Sequence, residues 1–167
     1  MLDEIIRNRD LDSGHSDDND QVDQFDDNNV HFTASGIMIS ERGILLHRHK
    51  RLQRWMPPGG HIDVGELPHE AARREGLEET GVSSWHPENT PTLVHLDIFS
   101  SAAAHTHMDL RYLLIASPID PSPPLDESQE VLWFSIEEAL SRVDDGLITA
   151  IRSTLGHRFT RQTLSQT

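Results

Sequence analysis

Three glutamates, Glu75, Glu78 and Glu79, stand at i, i+3 and i+4. On an α-helix, which turns ~100° per residue, that spacing gathers them within about a quarter-turn. Like charges so placed repel one another by roughly a few tenths of a kcal/mol per close pair. An ordinary solvated helix disperses its acids or interleaves them with bases, so the cluster points to something positive held between them. Arg74 can supply one such charge. Hard carboxylate oxygens also suit Mg²⁺ or Mn²⁺. The plainer alternative is a glutamate-rich helix facing water.

The segment that positions these acids is well punctuated. Pro68 fits a first helical turn, where its missing N–H costs nothing. Glu66 and Glu70 stand where the positive helix end favours acids, and Gly81 follows the last turn as a C-terminal cap. Ala71 and Ala72 share the arc of Glu75 and Glu79, whereas a surface helix sets its acids opposite its small apolar residues. The carboxylates are therefore expected to be partly enclosed, and enclosed carboxylates need a partner or a proton.

From Gly59 to Val82 the chain reads GGHIDVGELPHEAARREGLEETGV, and from Gly60 onward it resembles the Nudix box, G-x5-E-x7-R-E-U-x-E-E-x-G-U, with U a bulky aliphatic residue. Gly60, Glu66, Arg74, Glu75, Glu78, Glu79, Gly81 and Val82 fill the fixed positions. Gly76 departs from the pattern, standing where an aliphatic residue is wanted; a mid-helix glycine costs about 1 kcal/mol against alanine and gives up a packing contact. Flanking features extend the likeness from about Phe32 to Leu155.

The resemblance implies an α/β fold, the Nudix-type α-β-α sandwich with a mixed β-sheet. It also implies a metal-dependent hydrolase that cleaves the phosphoanhydride (pyrophosphate) bond of a nucleoside diphosphate linked to another moiety. By the same likeness Glu75, Glu78 and Glu79 are the ligands of Mg²⁺ or Mn²⁺, the Gly60 carbonyl is a further ligand, and Glu66 supports the site. Arg74 steadies the glutamates. Glu127, in the loop before Trp133, is the first choice as general base, with Glu130 beside it and Glu78 as the alternative from inside the box. Two other classes were weighed. A non-catalytic nucleotide-binding or regulatory module usually lacks one of the box glutamates, and none is missing here. A Nudix-fold isomerase departs from the standard box, which this chain keeps. No subfamily marker appears beside the box, so the substrate within the class is unassigned. Many members of the family are dimers, and the resemblance admits a homodimer.

Outside the box, LHRHKRLQRW gathers His47, Arg48, His49, Lys50, Arg51 and Arg54 just before the glycine turn. So basic a stretch in so acidic a chain suggests phosphate recognition. Strand alternation sends only half of it to one face, which leaves a solvated edge as the reading for the rest. Arg48, Arg54 and His61 are the candidate substrate-binding residues there. Tyr112 and Trp55 are candidates to stack on a base, against the ordinary fate of aromatics, which is the core. His105 and His107, spaced i, i+2 with Asp109, could hold a metal or a phosphate if extended, or simply be solvated.

The remaining elements read as follows. His31–Ser40 and Ile44–His49 form a hairpin about Glu41-Arg42-Gly43. Thr92–Ser100, Asp109–Ala116 and Val131–Phe134 read as strands, with 101–104 a small-residue loop and 118–124 a proline-rich one. Ser135 with Glu138 is a capping-box signature, and a last helix is expected from about Thr149 to Leu155. Residues 1–30 form an acidic arm, partly helical up to Arg9 or disordered; 31–160 form the single folded domain; 161–167 are a polar tail.

Composition sets the outer bounds. Twenty-eight acids against 14 Lys plus Arg give a net charge of −14. Ten acids and two bases lie in residues 1–30, so −8 of that charge belongs to the arm. That balance argues against binding bulk nucleic acid, whose footprint is basic. It leaves room for a small anionic substrate, because a metal and a local basic patch reverse the field. Cysteine is absent, so disulfide and thiol chemistry are excluded. No apolar run approaches spanning length and the N-terminus is unlike a signal peptide, so no membrane partner and a cytoplasmic location are expected.

Overall fold

The computed structural model describes residues 30–100, apart from the Ser100 side chain, and 106–157. The expected acidic arm and its helix, the 101–104 loop, His105 and the polar tail lie outside the described residues. Two long strands carry the architecture. β1 (Val30–Ser40) and β7 (Thr106–Ala116) run parallel, in register from Val30 opposite Thr106 to Ile39 opposite Ile115. Parallel neighbours need a long crossover, and the chain between them, glutamate helix included, supplies it. The expected hairpin is present: β2 (Gly43–Arg48) runs antiparallel to β1. β3 (Trp55–Met56) and β8 (Val131–Phe134) flank β2. β4 (Gly59–His61) lies antiparallel on Thr33–Ser35 of β1, while β5 (Ser84–Trp85) and β6 (Leu93–Ser100) pair with β7. The described strands form one mixed sheet of eight.

Alternation along β1 and β7 sorts their side chains onto two faces. Ala34, Met38, Leu110 and Leu114 lie on the side of α1 (Pro68–Thr80), whose Ala71 and Ala72 are fully buried. Ile37, Ile39, Leu113 and Ile115 lie on the other, packed with Leu147, Ala150 and Ile151 of α3 (Asp145–Gly156). Each enclosed Ile or Leu contributes roughly 1.5–3 kcal/mol of transfer free energy, so both helices are held by their apolar stripes. The result is an α-β-α sandwich, as the resemblance implied.

α1 spans the interval its punctuation marked. The Glu70 carboxylate accepts from the Leu67 N–H at 3.0 Å, and Gly81, at φ 69°, donates its N–H to the Leu77 carbonyl at 2.8 Å. Gly76 has a reason in the packing: a Cβ there would lie 3.1 Å from the Met38 sulfur. The sheet fills the space that an aliphatic residue fills elsewhere. α3 begins at Asp145 rather than near Thr149, because the Asp144 carboxylate accepts from the Leu147 N–H at 3.0 Å and caps it. β7 begins at Thr106 rather than Asp109, because pairing to both β1 and β6 carries it further. α2 (Ile136–Leu140) opens on the reciprocal Ser135–Glu138 cap. Among the described residues no helix is long and apolar enough to cross a membrane.

Candidate active site

The exposed-helix alternative fails for two of the three glutamates. The side chains of Glu75 and Glu79 are only 16% and 15% exposed, against 55% for Glu78. What encloses them is the turn entering β4. The Gly59 N–H donates to Glu79 Oε2 at 2.8 Å. A Cβ on Gly60 would stand 2.5–2.9 Å from the carboxyl atoms of Glu75, so any other residue at 60 drives that carboxylate away.

Arg74 is the hub of the cluster. Its Nε and Nη2 clasp both oxygens of Glu66 at 2.9 Å each, Nη1 donates to Glu75 at 2.8 Å and to Glu78 at 3.0 Å, and Nη2 also reaches the His61 carbonyl at 2.9 Å. A planar guanidinium can make such a fan of charge-assisted bonds; an ammonium cannot. Hydrogen bonding to Glu66 raises the Arg74 pKa further. Burial works against ionised Glu66, but the Arg74 hydrogen bonds, the Asp63 N–H and the Arg74 charge together outweigh it and hold the acid below its ordinary value.

Glu75 and Glu79 shift the other way. Burial raises Glu75 despite its bond to Arg74. Burial also raises Glu79, to about 8; the Gly59 N–H opposes the rise, and the charges of Glu75, Glu127 and Glu78 add to it. Such a carboxylate is the kind an incoming divalent cation stabilises. Among the described residues no three ligating side chains stand close enough to enclose an ion as they are, since Arg74 lies between Glu66, Glu75 and Glu78.

The two acids before β8 part company. Glu130 pairs with Arg48, both oxygens lying 3.2 Å from Nη1. Glu127 is half-buried, with its charge felt at Glu79. Its loop is fastened at both ends. The Ser122 N–H donates to the Thr80 carbonyl at 2.9 Å, and a Cβ on Gly81 would lie 2.2 Å from the Ser122 carbonyl oxygen. Lys50 donates to the Asp126 carbonyl, and Ser128 Oγ donates to the Arg48 carbonyl at 2.7 Å.

Of the expected substrate residues, Arg48 is engaged by Glu130 and Arg54 is exposed. His61 is exposed next to Gly60. Tyr112 is a correction. It is 5% exposed, packed with Ala34, Ala71 and Ala72 and edge-on to His69 and His86, so it cannot stack on a substrate base; its place in β7 turns it under α1. Trp55 likewise packs edge-on against Phe134, 4.8 Å away. His107 stacks between His31 and Phe99, and Asp109 joins a different network. There Arg111 Nε donates to Asp109 at 3.0 Å and Nη2 to Asp97 at 2.6 Å, while Ser35 Oγ and Thr33 Oγ1 donate to Asp109 at 2.8 and 3.2 Å. That network was missed, although an Asp and an Arg at i, i+2 inside an apolar strand are its signal. Buried His47 was also missed, counted only among the bases; its Nδ1 faces Glu79 Oε1 at 3.6 Å.

The sequence pattern of the NUDIX domain matches residues 30–153, most of the chain. The chain belongs to the Nudix family. Among curated relatives, the Nudix segment is 33% identical over 85 residues to the m7GpppN-mRNA hydrolase NUDT17 of Xenopus laevis, covering 46% of this chain and 29% of that protein. It is 44% identical over 41 residues to the asymmetrical bis(5'-nucleosyl)-tetraphosphatase of Mus musculus, covering 25% and 28%. The chain thus spans under a third of the length of either relative. A solved NUDIX-family hydrolase from Clostridium perfringens is similar over 77% of this chain and 98% of its own, at 28% identity and a TM-score of 0.64.

Proposed function

We propose that this Nudix chain is a metal-dependent hydrolase that cleaves a phosphoanhydride bond in a nucleoside diphosphate joined to another group, by attack of water on phosphorus. The observation that carries the reading is the enclosed Glu75–Glu79 pair, disfavoured as carboxylates by burial and closed against the Gly59-Gly60 backbone. The donor set fits Mg²⁺ or Mn²⁺: Glu75, Glu78 and Glu79 would hold the ion, with the Gly60 carbonyl beside them. When bound, such an ion neutralises charge on the diphosphate and acidifies coordinated water.

The chain's own residues do the rest. Arg74 holds one oxygen each of Glu75 and Glu78 and leaves the other oxygen of each open to a cation. Gly59 and Gly60 let the backbone come within reach of a phosphate. Glu127 takes the proton of the attacking water, with Glu78 the second candidate for that task. Arg48, Arg54 and His61 meet the outer phosphates. The two curated relatives are named for substrates in which nucleotides are linked through phosphates, which supports that class for this chain too.

The test is a phosphate-release screen over nucleoside triphosphates, nucleotide sugars, ADP-ribose and dinucleoside polyphosphates, run with Mg²⁺ and with Mn²⁺. At least one substrate should turn over, and Glu79→Gln should lower that rate by about 10³-fold with its circular dichroism unchanged. An inactive wild type across the panel, or an active Glu79→Gln protein, overturns the assignment.

A further inference from the structure

β6 (Leu93–Ser100) pairs with β7 along one side, and among the described residues no strand meets its other side. A free edge presents a row of open N–H and C=O groups, which another strand can take up. Folded chains usually blunt such an edge with Lys, Pro, a bulge or an inward charge. β6 is blunted at its first end, by Pro91 and by the bulge between Leu93 and His95. From Leu96 to Ser100 it holds no Lys, Arg or Pro and one acid, Asp97, whose inward charge is already matched by Arg111.

Apolar side chains line that free length and are open to water. Leu96 and Ile98, opposite Leu110 and Met108 on the α1 side of the sheet, are exposed, and so is Phe99, opposite His107 on the other side. A strand that pairs with a second copy of itself about a two-fold axis must be complementary to its own reverse. β6 meets that condition when the axis passes through Leu96. His95 of each copy then lies opposite Asp97 of the other, Leu96 faces Leu96, and Ile98 and Phe99 run alongside the bulge at Leu93 and Val94. An axis through Asp97 instead sets two carboxylates against each other, which cross-strand pairing penalises. We propose that the free edge of β6 is a homodimer interface, where two copies join antiparallel about Leu96 and their two sheets become one. The interface needs neither metal nor substrate, so it stands or falls apart from the hydrolase reading.

Analytical ultracentrifugation of the full chain at micromolar concentration tests it. Wild type should sediment at twice the mass of one chain. Leu96→Lys, which sets like charges across the axis, should sediment at the mass of one, with its circular dichroism unchanged. A mixture of Leu96→Lys and Leu96→Glu chains should return to twice the mass, because position 96 of one copy faces position 96 of the other. Leu155→Lys, at an exposed leucine on α3, should stay paired. A monomeric wild type overturns the proposal, whether another part of this chain or a different protein covers the edge. So does a dimeric Leu96→Lys chain, or a mixture that stays monomeric. Because the chain has no cysteine, Leu96→Cys carries a single thiol. Mild oxidation should link two copies of that variant and leave Leu155→Cys unlinked. That comparison decides alone if the charged variants do not fold, and an unlinked Leu96→Cys chain overturns the proposal.

Discussion

Two arginines organise carboxylates in this molecule, and they do so to different ends. Arg111 lies inside the sandwich, 5% exposed, clasping Asp97 and Asp109, with Ser35 and Thr33 completing the coordination of Asp109. Two acids share one guanidinium and two hydroxyls, in a set whose arginine is shut away from water. Arg74 lies at the rim, 27% exposed, and faces Glu66, Glu75 and Glu78, with Glu79 next to them and held only by a backbone N–H. One positive charge there meets four carboxylates. The closed set explains itself as structure. The open one carries an excess of negative charge that a cation would relieve, which supports the proposed metal site there.

Removing the arginines should sharpen that contrast most. Arg111→Leu leaves enclosed Asp109 and partly exposed Asp97 without their counter-charge and should cost ~3–5 kcal/mol of stability, read by chemical denaturation. Arg74→Leu should cost less in stability than Arg111→Leu, because Arg74 itself and Glu78 are open to water, yet lower turnover by ~10–100-fold. A chain that unfolds as readily without Arg74 as without Arg111 breaks the comparison.

Next in size is a pH effect. Glu79 has a folded pKa of about 8 against an ordinary 4.5, so the folded chain binds the extra proton. Its contribution to stability is complete below about pH 4.5 and is lost as pH rises through about 8. The melting temperature of the metal-free wild type, taken relative to Glu79→Gln, should therefore fall from pH 5 to pH 8, and Mg²⁺ should restore it most at the alkaline end. A difference that stays flat with pH removes the excess-charge argument. Gly60→Ala should displace Glu75 and cut activity ~10-fold while the melting temperature moves little. The smallest effect belongs to Gly76→Ala: the flexible Met38 side chain gives way, and stability should change by about 1 kcal/mol or less with activity intact.

Much of the fold was legible because its signals are local. Pro68 and Gly81 bound the helix, the alanines on its arc foretold the enclosure of Glu75 and Glu79, and Ser135 with Glu138 marked a helix start that the structure contains. The family pattern added what periodicity alone does not decide, the α-β-α sandwich with a mixed sheet; which strands pair in parallel, β1 with β7, came from the structure. What stayed hidden depends on register. Which face of β7 lies under α1 decides that Tyr112 is core and that Asp109 and Arg111 meet Asp97 from β6. His47 sat unnoticed in a basic run because its burial comes from α1 and the Gly59 turn, far along the chain.

The fastening of the proline-rich stretch to the end of the glutamate helix makes chain length there a functional quantity. With Ser122 tied to Thr80 at one end and Ser128 tied to Arg48 at the other, Glu127 is carried on a span anchored twice. Each residue advances the backbone by at most ~3.8 Å between α-carbons, more than any hydrogen bond tolerates. Deleting or inserting one position between those anchors therefore shifts Glu127, the proposed base, by a whole step. The segment works as a ruler, and its graduation is the peptide unit.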